Sequence, residues 1–99
     1  MIIKIHKSQE GKTLIAICDS DLIGKKFEKD NKQLDLTSNF YQGEEKDENE
    51  CLEIIKCANI LNIVGEKSIE FALKNNLITK ENIMKIAGIP IAQPYLSDD

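Results

Sequence analysis

The stretch Leu61–Asn76 constrains the fold of this chain more than any other. It opens as a short apolar run, Leu61 to Val64, and turns at Gly65. Beyond the glycine, Ile69, Ala72, Leu73 and Asn76 fall at i, i+3, i+4 and i+7, the spacing of one helix face. Residues 59–64 could extend a preceding helix or form a strand. Their β-branched content and the closing glycine favour a strand. A strand that feeds a helix through a tight turn leaves apolar surface on both elements, so the remaining segments are expected to pack on either side.

Those segments have readable patterns. Ile3 and Ile5 alternate with Lys4 and His6, which predicts a half-buried strand over 2–6. Residues 14–18 are apolar on both faces, as in an interior strand, and Ser8–Gly11 supplies a turn. An antiparallel hairpin of 2–6 with 13–18 follows. Asp19-Ser20-Asp21 carry N-cap chemistry, and Leu22, Ile23, Lys26 and Phe27 come next at helical spacing. A helix is expected there, kept short by Gly24. A turn at 30–32 leads to a strand at 33–36, and residues 37–43 form a connection. Asp47 with Glu50 three positions on is a capping pattern. It opens a helix over 48–58 that presents Cys51, Leu52, Ile54, Ile55 and Ala58 on one face. A second helix covers 66–75 and ends at Asn75-Asn76. After a turn at 79–82, residues 83–86 read as a strand and 89–93 as an extended segment. Prolines at 90 and 94 place that last segment at a sheet edge. The expected architecture is α+β or α/β: one domain over residues 1–99, with a mixed sheet of about five strands, two main helices and one short helix.

Charge narrows the function. The basic residues are thirteen lysines with no arginine, against seventeen acids, for a net charge of −4. Arginine's planar fork is the usual reader of phosphates and guanine edges, so direct RNA binding is expected to be weak and to rest on lysine. Lys25, Lys26, Lys29 and Lys32 form a modest basic cluster suited to weak phosphate contact. The acidic block from Glu44 to Glu53 reads as a solvated loop and helix start, or alternatively as a face for a basic partner. No apolar run approaches the roughly 18 residues of a membrane span, and the N-terminus lacks the apolar core of a secretion signal. The expected location is therefore cytoplasmic, away from membranes.

Candidate chemistry is sparse. Gly65-Glu66-Lys67-Ser68 looks like the end of a phosphate-binding loop, but position 60 is isoleucine where that motif requires glycine. Glu66 would also repel an anion at the helix start. Cys18, Cys51 and Cys57 form no C-x-x-C pair and His6 is the only histidine, so neither a structural metal nor a cofactor is expected. Cys18 reads as a small buried residue whose thiol Asp19 and Asp21 hold protonated. Asp19 and Asp21 themselves fit capping better than catalysis. Tyr41, between Phe40 and Gln42, either stacks a base or plugs the core edge with its hydroxyl outward. No nucleophile–base pair emerges, and no catalytic residue is assigned.

Several phrases occur together in order: Cys18-Asp19, Leu22-Ile23-Gly24-Lys25, Phe40-Tyr41-Gln42-Gly43-Glu44, Asn62-Ile63-Val64-Gly65-Glu66 and Gly88-Ile89-Pro90-Ile91-Ala92-Gln93. This chain thereby resembles the small archaeal proteins of the domain of unknown function 424 family over nearly its whole length. The resemblance implies an archaeal cytoplasmic protein of no established activity, whose genes tend to lie near those of translation factors. That family commonly carries histidine after the proline, where this chain has Ile91, a departure that points further from an enzyme. The function expected is a non-catalytic binding or interaction module of the translation or RNA-processing apparatus, with protein or RNA as partner. The candidate surface gathers Asp19, Lys25, Tyr41, Glu44, Asn62 and Gln93. The alternative is a small enzyme using Asp19 or Glu44 with Lys25. A third reading is an assembly protein, with an edge strand offering a route to a homodimer.

Overall fold

The N-terminal hairpin forms in the expected register. In the computed structural model, which describes residues 1–96, β1 (Ile2–Lys7) pairs antiparallel with β2 (Thr13–Cys18). Two short strands, β3 (Lys26–Lys29) and β4 (Lys32–Asp35), make a separate hairpin. Then come β5 (Glu44–Glu45), α1 (Glu48–Ile55), β6 (Ile60–Val64), α2 (Glu66–Lys74), β7 (Met84–Ile86) and β8 (Ile89–Ala92). The main sheet has six strands in the order β5-β1-β2-β6-β8-β7. Its central pair, β2 with β6, is parallel and the other pairs are antiparallel. The fold is α+β, with six strands in the main sheet where about five were expected; the strand expected at 33–36 is β4, which pairs with β3 in the small hairpin and does not join that sheet.

Alternation along the strands divides the core in two. Ile15, Ile17, Leu61 and Ile63 pack with Cys51 and Ile55 of α1 and with Ile69 and Ala72 of α2. The four strand residues are fully buried. Burial stabilises the fold by roughly 2 kcal/mol for each such side chain. On the opposite face, Cys18, Val64 and Ile91 pack under Leu34 and Leu36 of the small hairpin and its exit.

Local signals account for both helices. The Asp47 side chain accepts from Glu50 N–H at 2.8 Å, and Glu50 accepts in return from Asp47 N–H at 3.2 Å, which completes the capping box. The helix stops at Ile55 rather than 58 because Asn59 is drawn into the sheet. Its N–H donates to the Thr13 carbonyl at 2.8 Å and its side chain accepts from Thr13 N–H at 2.8 Å. The favoured strand at 59–64 is β6.

Two further expectations are corrected. The short helix over residues 22–27 does not form. Ser20–Leu22 makes a single 3-10 turn, and Lys26 and Phe27 belong to β3. Gly24 adopts φ +86° and turns the chain, with Leu36 N–H donating to the Lys25 carbonyl at 2.9 Å, so the helical spacing of 22–27 never becomes a helix. Nor is the segment around Pro90 at an edge, since β8 lies between β6 and β7. The register explains why proline is tolerated. Pro90 falls opposite Gly65, one residue beyond β6, and accepts from Gly65 N–H at 2.9 Å. The carbonyl a residue 90 N–H would seek, that of Gly65, already accepts from Ile69 N–H at 2.9 Å as α2 begins. Among the described residues no helix is long and apolar enough to cross a membrane.

Candidate functional site

The sheet face turned away from the helices is covered only at one end. The small hairpin lies over Cys18, Val64 and Ile91. Beyond it, the registers place Lys4, Ala16 and Asn62 in one row, and His6, Leu14, Ile60 and Tyr95 in the next. The β6–β8 register and the Ile60–Tyr95 bridge together set Gln93 opposite Asn62. Leu61 N–H donates to the Pro94 carbonyl and Leu96 N–H to the Asn59 carbonyl, so the chain continues beside β6 after β8 ends.

A 3-10 turn at Asn39–Tyr41 walls one side of this strip. Three contacts fasten it. The Tyr41 hydroxyl donates to Asn62 Oδ1 at 3.3 Å. The Lys4 ammonium donates to the Gln42 carbonyl at 3.2 Å. His6 Nε2 lies 3.0 Å from the Phe40 carbonyl, and because a carbonyl only accepts, Nε2 carries the proton. The His6 ring also stacks on Phe40 with centroids 4.5 Å apart, and Phe40 meets Tyr41 edge-on at 4.9 Å. Burial, reinforced by Cys18 nearby, pushes the Tyr41 hydroxyl above the usual phenol value and outweighs the Asn62 bond. It is therefore a neutral donor at physiological pH. The open part of the strip is Leu14, Ile60, Asn62, Gln93 and Tyr95, and Tyr95 is 76% exposed.

Of the six residues expected to form a surface, Tyr41, Asn62 and Gln93 come together here. The other three lie elsewhere. Asp19 is buried at the start of α2, where its carboxylate accepts from the N–H groups of Lys67 and Ser68 at 3.0 and 2.8 Å and from the Ser68 hydroxyl at 2.7 Å. It supplies the N-cap that Gly65 cannot, so the protein's own carboxylate occupies the helix start where the loop-like Gly65–Ser68 phrase would place a phosphate. Lys25 is exposed at the entrance to the small hairpin. Glu44 lies in β5 on the outer edge of β1, and its carboxylate pairs with Lys46 at 3.2 Å. The rest of the acidic block is similarly engaged: Glu45 with the Met1 ammonium, Glu48 with Lys74, Glu50 with Lys46 and Glu53 with Lys56.

Sequence reasoning missed Tyr95 and the His6–Phe40 stack. The signal for Tyr95 was present: the two-residue alternation Ile89, Ile91, Gln93 runs on to Tyr95 across Pro94. The His6 contact spans 34 residues and leaves no local trace. Among the described residues no three of His, Cys, Asp and Glu gather closely enough to hold a metal ion.

The fold and strip define a small α+β protein with helices on one face of a mixed sheet and a partly open aromatic and amide surface on the other. The chain belongs to the DUF424 family, described as protein of unknown function, whose sequence model matches residues 6–96. A crystal structure of an uncharacterized conserved protein from Methanopyrus kandleri is similar in fold, with a TM-score of 0.79. The likeness covers 95% of this chain and 89% of that one at 21% identity. No curated protein matches the chain.

Proposed function

We propose that the chain is a non-catalytic binding module of the archaeal translation or RNA-processing apparatus in the cytoplasm, and that the open strip is its recognition surface. The observation that carries this reading is the exposed Tyr95 ring, in register with Ile60 and beside the Asn62–Gln93 row. A tyrosine face stacks on a base or an apolar side chain, and two amides both donate and accept. Such a set reads a partner's shape and hydrogen-bonding pattern without making or breaking bonds. The family resemblance supports the setting in translation.

The carboxylate-enzyme alternative has less support. The Asp19 carboxylate is already the acceptor for three donors and that of Glu44 pairs with Lys46, and among the described residues neither hydrogen-bonds Lys25. General acid–base work requires such groups within hydrogen-bond reach of one another or of a shared substrate.

The test is purification of the full chain from its native cells, with mass spectrometry and RNA sequencing of what accompanies it, for the wild type and for Tyr95→Ala. The variant should retain its melting temperature and lose the specific companions. Unchanged companions would remove the strip from the proposal.

A further inference from the structure

The small hairpin places lysines in an unusual position. Phe27 and Leu34 are cross-strand partners on its inner face and pack toward the sheet. Two positions further on, the same inner face carries Lys29 opposite Lys32. The chain turns between them through Asp30 and Asn31, both with positive φ, as a two-residue type I′ turn requires. A second tight turn, Ala87–Gly88 between β7 and β8, lies alongside and also has positive φ at both residues. The two tips border one cleft, and Lys85 of β7 also lines it. Alanine and glycine provide no side chain long enough to fill it.

Like charges directly opposite in a ladder repel. Among the described residues, none of Lys29, Lys32 and Lys85 is in an ion pair, although Lys46, Lys56 and Lys74 all are. Asp30 is the one acid lining the cleft, and it pairs with none of the three. Glu28 alternates onto the outer face of the hairpin, opposite Gln33.

We infer that this cleft binds phosphate groups of a single-stranded RNA. The inference rests on the RNA form of the function proposed above. The opposed Lys29–Lys32 pair, with Lys85 also lining the cleft and none of the three in an ion pair, suits a phosphodiester, which lysine holds as a point charge rather than through a bidentate fork. From Gly88 to Tyr95 an extended chain covers about 23 Å, so one strand of several nucleotides reaches both cleft and strip. The division of labour is then ordinary: lysines position the backbone, and the tyrosine and amides meet the bases.

The test is fluorescence anisotropy of a labelled mixed-sequence 12-nucleotide single-stranded RNA against the full chain at low salt. Lys29→Gln with Lys32→Gln should weaken binding about tenfold and make the log–log salt dependence shallower by about 1.4, two contacts at roughly 0.7 each. The same pair should melt no lower than wild type, since it removes a repulsion. Lys56→Gln, far from the cleft in sequence and paired with Glu53, should bind within twofold of wild type. Single-stranded DNA should compete nearly as well as RNA, because the cleft reads phosphate. Wild type that fails to bind RNA at low salt overturns the inference, and companions captured from native cells by the wild type but not by Tyr95→Ala would show the broader proposal still standing. RNA binding lost in Tyr95→Ala but unchanged in the lysine pair, with the same salt slope, overturns the cleft and leaves RNA on the strip alone.

Discussion

Asp19 and Ser68 are joined twice: one carboxylate oxygen, Oδ1, accepts both the backbone N–H of Ser68 at 2.8 Å and its hydroxyl at 2.7 Å. The contact ties the end of β2 to the start of α2 across 49 residues of chain. Both residues are buried, so water cannot readily replace either partner. Asp19→Ala leaves three donors unsatisfied and should cost about 3 kcal/mol in urea denaturation. Asp19→Asn retains one carbonyl oxygen and should cost less. A loss below about 1 kcal/mol for the alanine variant would mean that α2 does not depend on this cap.

Gly65 and Asp19 should show strong coupling. A Cβ at residue 65 would lie inside contact distance of the Asp19 carboxylate, and φ of +108° is unfavourable for any other residue. Gly65→Ala should therefore destabilise by more than the roughly 1–3 kcal/mol of backbone strain alone. In an Asp19→Ala background the clash is gone, and the same change should cost at least about 1 kcal/mol less. Simple additivity in the four-way cycle would contradict the close approach.

The three thiols should differ in reactivity. Cys57 is exposed, whereas Cys18 and Cys51 are buried. Burial, aided by Asp19 and Asp21, pushes the Cys18 thiol up to about 12. Ellman's reagent at pH 8 should titrate one thiol in the native protein and three after unfolding. The sign for stability follows from linkage. The unfolded thiol ionises near 9 while native Cys18 keeps its proton to about 12, so the native state binds more protons in that window. Stability is fully present below pH 9 and falls as pH rises toward 12, by at most about 1.4 kcal/mol per pH unit for each thiol. Burial raises Cys51 in the same direction. Cys18→Ala should flatten the slope between pH 9 and 10.

Glu45 offers a check on the sheet edge. Hydrogen bonds from the Met1 ammonium and the Ser20 hydroxyl hold its carboxyl below the usual glutamate value. Acetylating the N-terminus should move its NMR titration midpoint back upward. A midpoint that stays put would mean the amine is not its partner in solution.

Much of the architecture was legible because its causes are local. Asp47 and Glu50 specify a helix start within four residues, and Gly65 marks the strand-to-helix turn within one. The misreadings share an opposite character. Asp19 has the right chemistry for a cap, but the helix it caps is α2 and not the segment that follows it, a pairing visible only once β2 and β6 are side by side. Lys26 and Phe27 fitted a helical period, yet the turn at Gly24 and pairing with β4 prevailed. Pro90 followed the rule for edge strands until Gly65 removed the need for its N–H. Of the candidate surface, Tyr41, Asn62 and Gln93 meet because the β6–β8 register sets Gln93 opposite Asn62 while the Asn39–Tyr41 turn brings the Tyr41 hydroxyl to Asn62, and no single stretch of sequence encodes that alignment.

The parallel pairing of β2 with β6 also governs when this protein can fold. The partners are far apart in the chain, Leu14 with Ile60 and Cys18 with Val64. During synthesis the first hairpin emerges early, but the inner edge of β2 waits unpaired until residue 64 has been made. Throughout that interval Leu14–Cys18, apolar on both faces, presents an open strand edge to neighbouring chains. High contact order of this kind slows folding, because loop closure must precede the reward of the ladder. Aggregation during expression should accordingly begin from this edge, and slower translation of residues 19–59 should worsen it.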